Sequence, residues 1–354
     1  MQGPAAGDAA LEATLKRIVR ENLGRGVARI DWIEGQLALR RFARVRLESG
    51  LPATLLARID APEDPAGRPA GVPPEPALEP IRARLEAAGL PVPARLGADA
   101  AAGVDLLEDL GDLLLRDAAQ GAPPGALRGL YEEACDLVPR LQRVVDGDIE
   151  AFRRCLDDAL IAYKAELFAR YGLAARGHEA RPAEVAAVRD AFARIGRIVA
   201  QAPVRLAHRD FQSTNLLVRA SRPPGARVAM IDLQGAFLAP PEYDLVCLLR
   251  DSYVELDEAE LAYQLGRIRP LLPDAPDAES FARRFDLLTL TRKGKDCARF
   301  LYAAQERGDR RFLRYLPASI RALRRAARGA AARDAALAPL AELVFQLPED
   351  PCAA

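Results

Sequence analysis

Residues 206 to 217 read LAHRDFQSTNLL, a stretch that carries an aspartate, Asp210, and five positions later an asparagine, Asn215. An ionised carboxylate can orient a hydroxyl and accept its proton, and an amide oxygen is a hard ligand suited to magnesium. A second carboxylate, Asp232, closes the apolar run RVAMID at 227 to 232. Transfer of a phosphoryl group to a hydroxyl asks little more of a protein than this. It requires a carboxylate on the attacking hydroxyl, oxygen ligands for Mg²⁺ and positive charge on the phosphates.

His208, Arg209, Asp210 and Asn215 follow the spacing H-R-D-x-x-x-x-N of kinase catalytic loops, in which Asp210 is the base candidate and Asn215 a metal ligand. Asp232 stands where the second magnesium ligand of such enzymes falls. Alone, His208 reads as readily as a turn histidine bonded to backbone, so the weight lies on the conjunction. Two short strands, NLLV at 215 to 218 and RVAMI before Asp232, would bring Asn215 and Asp232 side by side if joined by a turn.

The elements that must position these residues change character along the chain. Leu11, Leu15 and Ile18 predict a helix over 9–22. Residues 40–60 read as an antiparallel hairpin broken at Ser49, Gly50 and Pro52, and 61–76 are too rich in Pro and Gly for regular structure. A helix follows over 77–88, ended by Gly89, then strand, turn at Gly103 and strand within 91–112. From 113 the pattern is helical, with periods over 125–145, 150–171, 182–200, 242–255, 257–271, 278–305 and 310–345; NLLV and RVAMID are the strong strand candidates there. The expectation is an α+β, protein-kinase-like two-lobed fold, with an N-terminal helix or extension (1–29), a β-rich nucleotide-binding N-lobe (30–112) and a mainly helical C-lobe (113–354) carrying catalytic loop and substrate site.

At 354 residues the chain suits two lobes, at roughly 150 residues per domain. Fifty basic residues against fifty acidic ones give no net charge, which argues against nucleic acid as the main partner. The five cysteines (135, 155, 247, 297 and 352) form no CxxC pair and suggest neither a disulfide framework nor a zinc site. No apolar run approaches the ~18 residues that span a bilayer. A cytoplasmic protein is expected, with no membrane partner, as a monomer or weak homodimer.

In these motifs the chain resembles the aminoglycoside phosphotransferase-like kinases. Among them it is similar to the bacterial anomeric kinases of cell-wall amino sugars, which phosphorylate N-acetylmuramate and N-acetylglucosamine at the C1 hydroxyl. HRDFQSTNLL and IDLQGAFLAPPEYDLVCLLRDSYVEL (231 to 256) carry the likeness, with support from LRRFARV, RIDAPED, AAGLPVPARL, LLEDLGD and TRKGKDCARF. The resemblance implies ATP and Mg²⁺ as cofactors, Asp210 as the catalytic aspartate and Asn215 and Asp232 as metal ligands. It implies Asp244 as the brace of the catalytic loop, with His208 and Arg209 as structural members of that loop. It also implies that LLEDLGD is the lobe connection, where backbone groups at Asp109 and Leu110 meet adenine. Gln212 and Gln234 occupy places where many antibiotic kinases carry His or an acid, so the substrate is expected to be less cationic than an aminoglycoside.

Two features depart from the family pattern. The small polar stretch that opens the first hairpin is here GQLA (35 to 38), so only Gly35 remains to approach phosphates. The four lysines are Lys16, Lys164, Lys293 and Lys295, and none lies on the strand where a phosphate-pairing cation belongs. Arg58 lies near that place and is the candidate substitute, with Arg40, Arg41 or Arg44 as others; a surface arginine on an edge strand is the alternative for Arg58. In TRKGKDCARF, helical spacing puts Arg292, Lys295 and Arg299 on one side, either a basic rim for an anionic substrate such as a muramic-acid lactyl carboxylate or a solvated face. Tyr243 is the aromatic candidate for stacking on a sugar, beside Trp32 and Tyr253. The basic amphipathic segment 320–346 reads as a packed C-terminal helix. The leading reading is an ATP- and Mg²⁺-dependent sugar or amino-sugar kinase. An aminoglycoside or other small-alcohol kinase and a nucleotide-binding regulatory pseudokinase stand as alternatives.

Overall fold

A computed structural model describes residues 6–33, 40–60, 76–145 and 147–348. The chain divides into two compact units, residues 1–75 with 91–112 and residues 76–90 with 113–354. Gly35 and the rest of GQLA lie outside the described residues, as does most of the Pro/Gly-rich stretch, 61–75.

The first unit is an antiparallel sheet under one helix. Strands β1 (Val27–Ile33), β2 (Arg41–Leu47), β3 (Thr54–Ile59), β4 (Arg95–Asp99) and β5 (Val104–Glu108) lie in the order β1-β2-β3-β5-β4. Alternation decides what each strand buries. Ala43, Val45, Leu55, Ala57 and Leu106 are fully buried and meet Leu15, Ile18 and Val19 of helix α1 (Ala6–Leu23) in one apolar core. The N-terminal segment is therefore part of this unit rather than an extension of it. Strand β1 was not anticipated: Arg29 and Asp31 interrupt its apolar residues, as an edge strand with one wet face allows.

Arg58 is not on an edge. Strand β3 lies between β2 and β5, with Arg58 opposite Phe42 on one side and Asp105 on the other. The side chain is buried, and its two terminal nitrogens pair with Asp105 at 3.0 Å and Asp60 at 2.9 Å. The other arginines named for the phosphate role are likewise engaged. Arg40 pairs with Asp60, Arg41 with Asp8, and Arg44 with Asp109 and Asp112. Asp109 also accepts from the Gly111 backbone, and Leu110 beside it is half-buried.

The second unit is helical apart from two small antiparallel pairs. Its helices include α2 (Leu78–Ala87), α3 (Leu115–Ala119), α4 (Pro124–Gln142), α5 (Asp158–Leu167), α6 (Pro182–Val199), α7 (Tyr243–Leu249), α8 (Glu258–Ile268), α9 (Ala278–Glu306), α10 (Leu316–Arg333) and α11 (Ala338–Phe345). By its contacts α2 belongs here, packed on the 233–235 turn, and not with the sheet. Three expected helices are shorter or divided. Asp157 caps α5 by accepting from the Leu160 backbone, so only 158–167 of 150–171 is α-helical. Helix α7 ends before Asp251, and Asp334 separates α10 from α11 by capping a new turn.

Strands β6 (Arg205–Ala207), β7 (Leu216–Val218), β8 (Val228–Met230) and β9 (Phe237–Ala239) carry the site. The expected pair, β7 with β8, has Leu216 opposite Met230 and Val218 opposite Val228. β6 pairs with β9, Ala207 opposite Phe237; both were missed, because three-residue strands are too short to show a period.

Candidate active site

These two pairings set the site. Residues 208–210 leave β6 beside residues 233–236, which lead into β9. Asn215 enters β7 beside Ile231, whose N–H donates to the Asn215 carbonyl at 3.0 Å, so Asn215 and Asp232 become neighbours. Arg209 (φ 80°) and Asp232 (φ 63°) both sit in the left-handed region, a strained conformation that turns the chain sharply at each carboxylate.

Asp244, at the start of α7, holds the first half of the loop. Its buried carboxylate accepts from the N–H groups of His208 (2.7 Å) and Arg209 (3.1 Å). Burial raises its pKa to about 6. His208 is buried, and its Nε2 lies 2.8 Å from the Ile231 carbonyl; a carbonyl only accepts, so Nε2 carries the proton. His208 thus ties the loop to the strand leading to Asp232.

Asp210 is the centre of the polar cluster. Its Oδ1 lies 2.8 Å from Arg292 and 3.9 Å from Lys295, both on α9. Burial alone would raise the Asp210 pKa, but Arg292, Lys295 and Arg209 hold it far below the carboxylate range. Among the described residues no group bonds Oδ2. A Cβ built on Gly235 would stand 4.0 Å from that oxygen, so the absence of a side chain there keeps its approach open.

Arg292 is 2 % exposed, and every donor atom of its guanidinium is used: on Asp210, on the Arg209 carbonyl, on Gln212 at 2.9 Å and on Asp296 at 3.3 Å. It is a brace, not the exposed rim that helical spacing suggested; the helix face it occupies turns inward. Lys295 remains partly accessible, and Arg299 is exposed. Tyr243 departs from expectation for the same reason. It is buried against Phe237, and its hydroxyl meets Lys164 Nζ at 3.2 Å, so no face is open to a sugar.

Asn215 and Asp232 fit a magnesium ion by their donor chemistry. Asn215 donates its side-chain N–H to the Asp210 carbonyl at 2.8 Å, which leaves the amide oxygen as the end for a cation. Asp232 is exposed, with Oδ1 accepting from buried Gln234 at 2.6 Å. Two hard oxygens at adjoining backbone positions suit an ion that completes its shell with phosphates and water.

The sequence model of the phosphotransferase enzyme family matches residues 54–278. The chain belongs to this family. It is a kinase acting on a hydroxyl group. It is 29% identical over 271 residues to the N-acetylmuramate/N-acetylglucosamine kinase of Pseudomonas aeruginosa, covering 75% of this chain and 76% of that one. It is 34% identical over 175 residues to the enzyme of the same name from Caulobacter vibrioides, covering 48% and 47%. Among solved structures, a choline/ethanolamine kinase family protein from Mesorhizobium loti superposes with a TM-score of 0.59 at 15% identity, over 95% of this chain and 99% of that one. The aminoglycoside phosphotransferase APH(2'')-Ib, in an ADP-bound structure, gives 0.55 at 13%, again over 95% and 99%. These likenesses give the phosphotransferase a protein-kinase-like fold, a sheet unit and a helical unit.

The phosphotransferase also holds its loop with residues that the motif did not name. Asp251, 4 % exposed, accepts from the N–H of Ser213 at 2.9 Å and of Tyr253 at 3.1 Å, and so fixes the half of the loop that ends in Asn215. Asp296 gathers Arg292, Lys293 and Lys295. Lys164 is buried on α5. An aspartate closing the apolar run DLVCLLRD, and a lone lysine in an Ala/Leu-rich helix, were the available signals for two of them.

Proposed function

We propose that this phosphotransferase moves the γ-phosphoryl group of ATP to a hydroxyl of an amino sugar of the N-acetylmuramate or N-acetylglucosamine type. The observation that carries the chemistry is the division of labour at Asp210, with Oδ1 held by Arg292 and Oδ2, beside Gly235, without a partner among the described residues. A carboxylate so placed accepts the hydrogen bond of the acceptor hydroxyl and aims its oxygen for in-line attack. Its low pKa keeps it ionised. A strong base is not required, because the transition state of phosphoryl transfer is loose and proton removal comes late.

Asn215 and Asp232 would hold Mg²⁺, which would supply positive charge to offset that of the phosphates. Gln234 orients the Asp232 carboxylate, and Gln212 sits beside Asp210 through Arg292. Both are neutral, which favours an uncharged or acidic acceptor over a polycationic one. The choice of sugar draws on the relatives' activity, the anomeric hydroxyl being the acceptor position that this likeness suggests. In the sheet unit the backbone at Asp109 and Leu110 is the proposed adenine contact. Arg58 is a poor candidate for gripping phosphate, since its terminal nitrogens are engaged by two carboxylates and burial, with Arg40 beside it, lowers its pKa.

The test is ATP turnover with Mg²⁺ across N-acetylmuramate, N-acetylglucosamine, other hexoses and kanamycin. Amino-sugar phosphorylation that falls by roughly 10²–10⁴-fold in Asp210→Ala is the expected result. Turnover on kanamycin alone would move the acceptor to antibiotics. Nucleotide binding without Asp210-dependent turnover on any of them would leave a regulatory module.

A further inference from the structure

On α9, Arg292, Lys293 and Lys295 crowd two carboxylates, Asp210 and Asp296. Lys295 Nζ lies 3.9 Å from Asp210 and 3.3 Å from Asp296, yet burial, followed by repulsion from Arg292, outweighs both and lowers its pKa to about 8. Behind it on α5, Lys164 is 2 % exposed. Its one hydrogen bond among the described residues is to the Tyr243 hydroxyl, with the ring centroid of that tyrosine 5.0 Å away. Burial, then Lys295 and Arg292, push its pKa well below the ordinary lysine value. Burial is the main cause in both lysines and the neighbouring cations add to it, so an anion placed against Lys295 would offset the repulsion.

Access decides where the anion sits. Arg292 is buried with its donor atoms committed, and Lys164 is enclosed, whereas the Lys295 side chain keeps 13% exposure. The ion-pair partners of Lys295 are Asp210 and Asp296, while Arg292, Arg299 and Lys164 add positive charge around it.

Building on the amino-sugar reading above, we propose that Lys295 is the contact for a carboxylate carried by the acceptor sugar, and so sets preference for an acidic over a neutral amino sugar. Lys164, Arg292 and Asp296 shape the field at its ammonium without touching the ligand. N-acetylmuramate is a carboxylic acid and N-acetylglucosamine is not, so the pair isolates this one interaction. A transferring phosphoryl group is also an oxyanion, and the test separates the two sources.

The ratio of kcat/KM for N-acetylmuramate to that for N-acetylglucosamine is measured at pH 7 in the wild type, Lys295→Met and Lys295→Arg. A charge-assisted hydrogen bond to the carboxylate predicts that the ratio falls about tenfold or more in Lys295→Met and partly returns in Lys295→Arg. Equal losses on both sugars, with the ratio unchanged, would overturn the proposal and assign Lys295 to the phosphoryl group. In parallel, lysine labelled at Cε gives few resonances, because the chain has four lysines. The Lys295 signal is expected to move with N-acetylmuramate and not with N-acetylglucosamine. A shift with a non-hydrolysable nucleotide and Mg²⁺, and none with N-acetylmuramate, would again overturn it. Should neither sugar turn over, the amino-sugar reading fails, and the Lys295 resonance alone then decides whether a carboxylate subsite exists.

Discussion

At Asp210 the two carboxylate oxygens answer to different predictions. Oδ1 is held by Arg292, whose charge, ahead of Lys295 and Arg209, overcomes burial and depresses the pKa. A depressed carboxylate contributes stability that is present above the ordinary carboxylate pKa of about 4 and is lost as pH falls below it. The stability gap between wild type and Arg292→Met should therefore narrow below about pH 4, as followed by denaturant unfolding. In the same variant Asp210 stays buried without its main partner, so the acid limb of kcat/KM should move to higher pH; an unshifted limb would exclude Arg292 as the group that keeps Asp210 ionised. Oδ2 faces past Gly235, and Gly235→Val should raise KM for the acceptor by about tenfold or more by covering that approach. A fall in kcat alone, with KM unmoved, would place the acceptor elsewhere.

The loop from His208 to Asn215 is held at both ends by aspartates from the segment that begins with α7. Asp244 takes two N–H groups at the start, and Asp251 takes Ser213 N–H near the end. Replacing Asp251 by Ala leaves buried donors unsatisfied, at a cost of about 1–3 kcal/mol. Because Ser213 opens the turn that carries Asn215, the effect should extend beyond stability. We expect Asp251→Ala to raise the Mg²⁺ concentration needed for half-maximal rate several-fold, measured by magnesium titration at saturating sugar and nucleotide. Lower yield of folded protein with an unchanged magnesium requirement would reduce Asp251 to a packing residue. The same scale explains the two missed strands. β6 and β9 each have three residues, and what pairs them is the chain reversal through 208–236 rather than any pattern of their own.

Across the whole molecule, Cys135, Cys247 and Cys297 are buried, and burial raises each thiol pKa, to about 12 for the latter two. Cys155 is exposed. A thiol reagent should thus modify Cys155 in the native protein while those three react only on unfolding, as mass spectrometry after brief alkylation will show; early labelling of Cys247, which donates to the Arg209 carbonyl, would contradict the packing around the loop. No helix among the described residues is long and apolar enough to cross a membrane. The proposed catalytic set was legible in the sequence, because Asp210, Asn215 and Asp232 lie within 23 residues and their relation is written in local spacing and two short apolar runs. The sequence by itself also determined the succession of a sheet unit and a helical unit, since hydrophobic period is a local property. Packing of the folded chain sets which cations near Asp210 are braces and which is accessible. Helical spacing places Arg292 and Lys295 on one face, but whether that face meets solvent or another part of the fold depends on α9 packing against α5, α6, α7 and α10. The same holds for Tyr243, buried against nearby Phe237 and against Lys164 of α5, 79 residues away in sequence, and for Arg58, whose central place follows from β5 pairing with β3 across some 45 intervening residues.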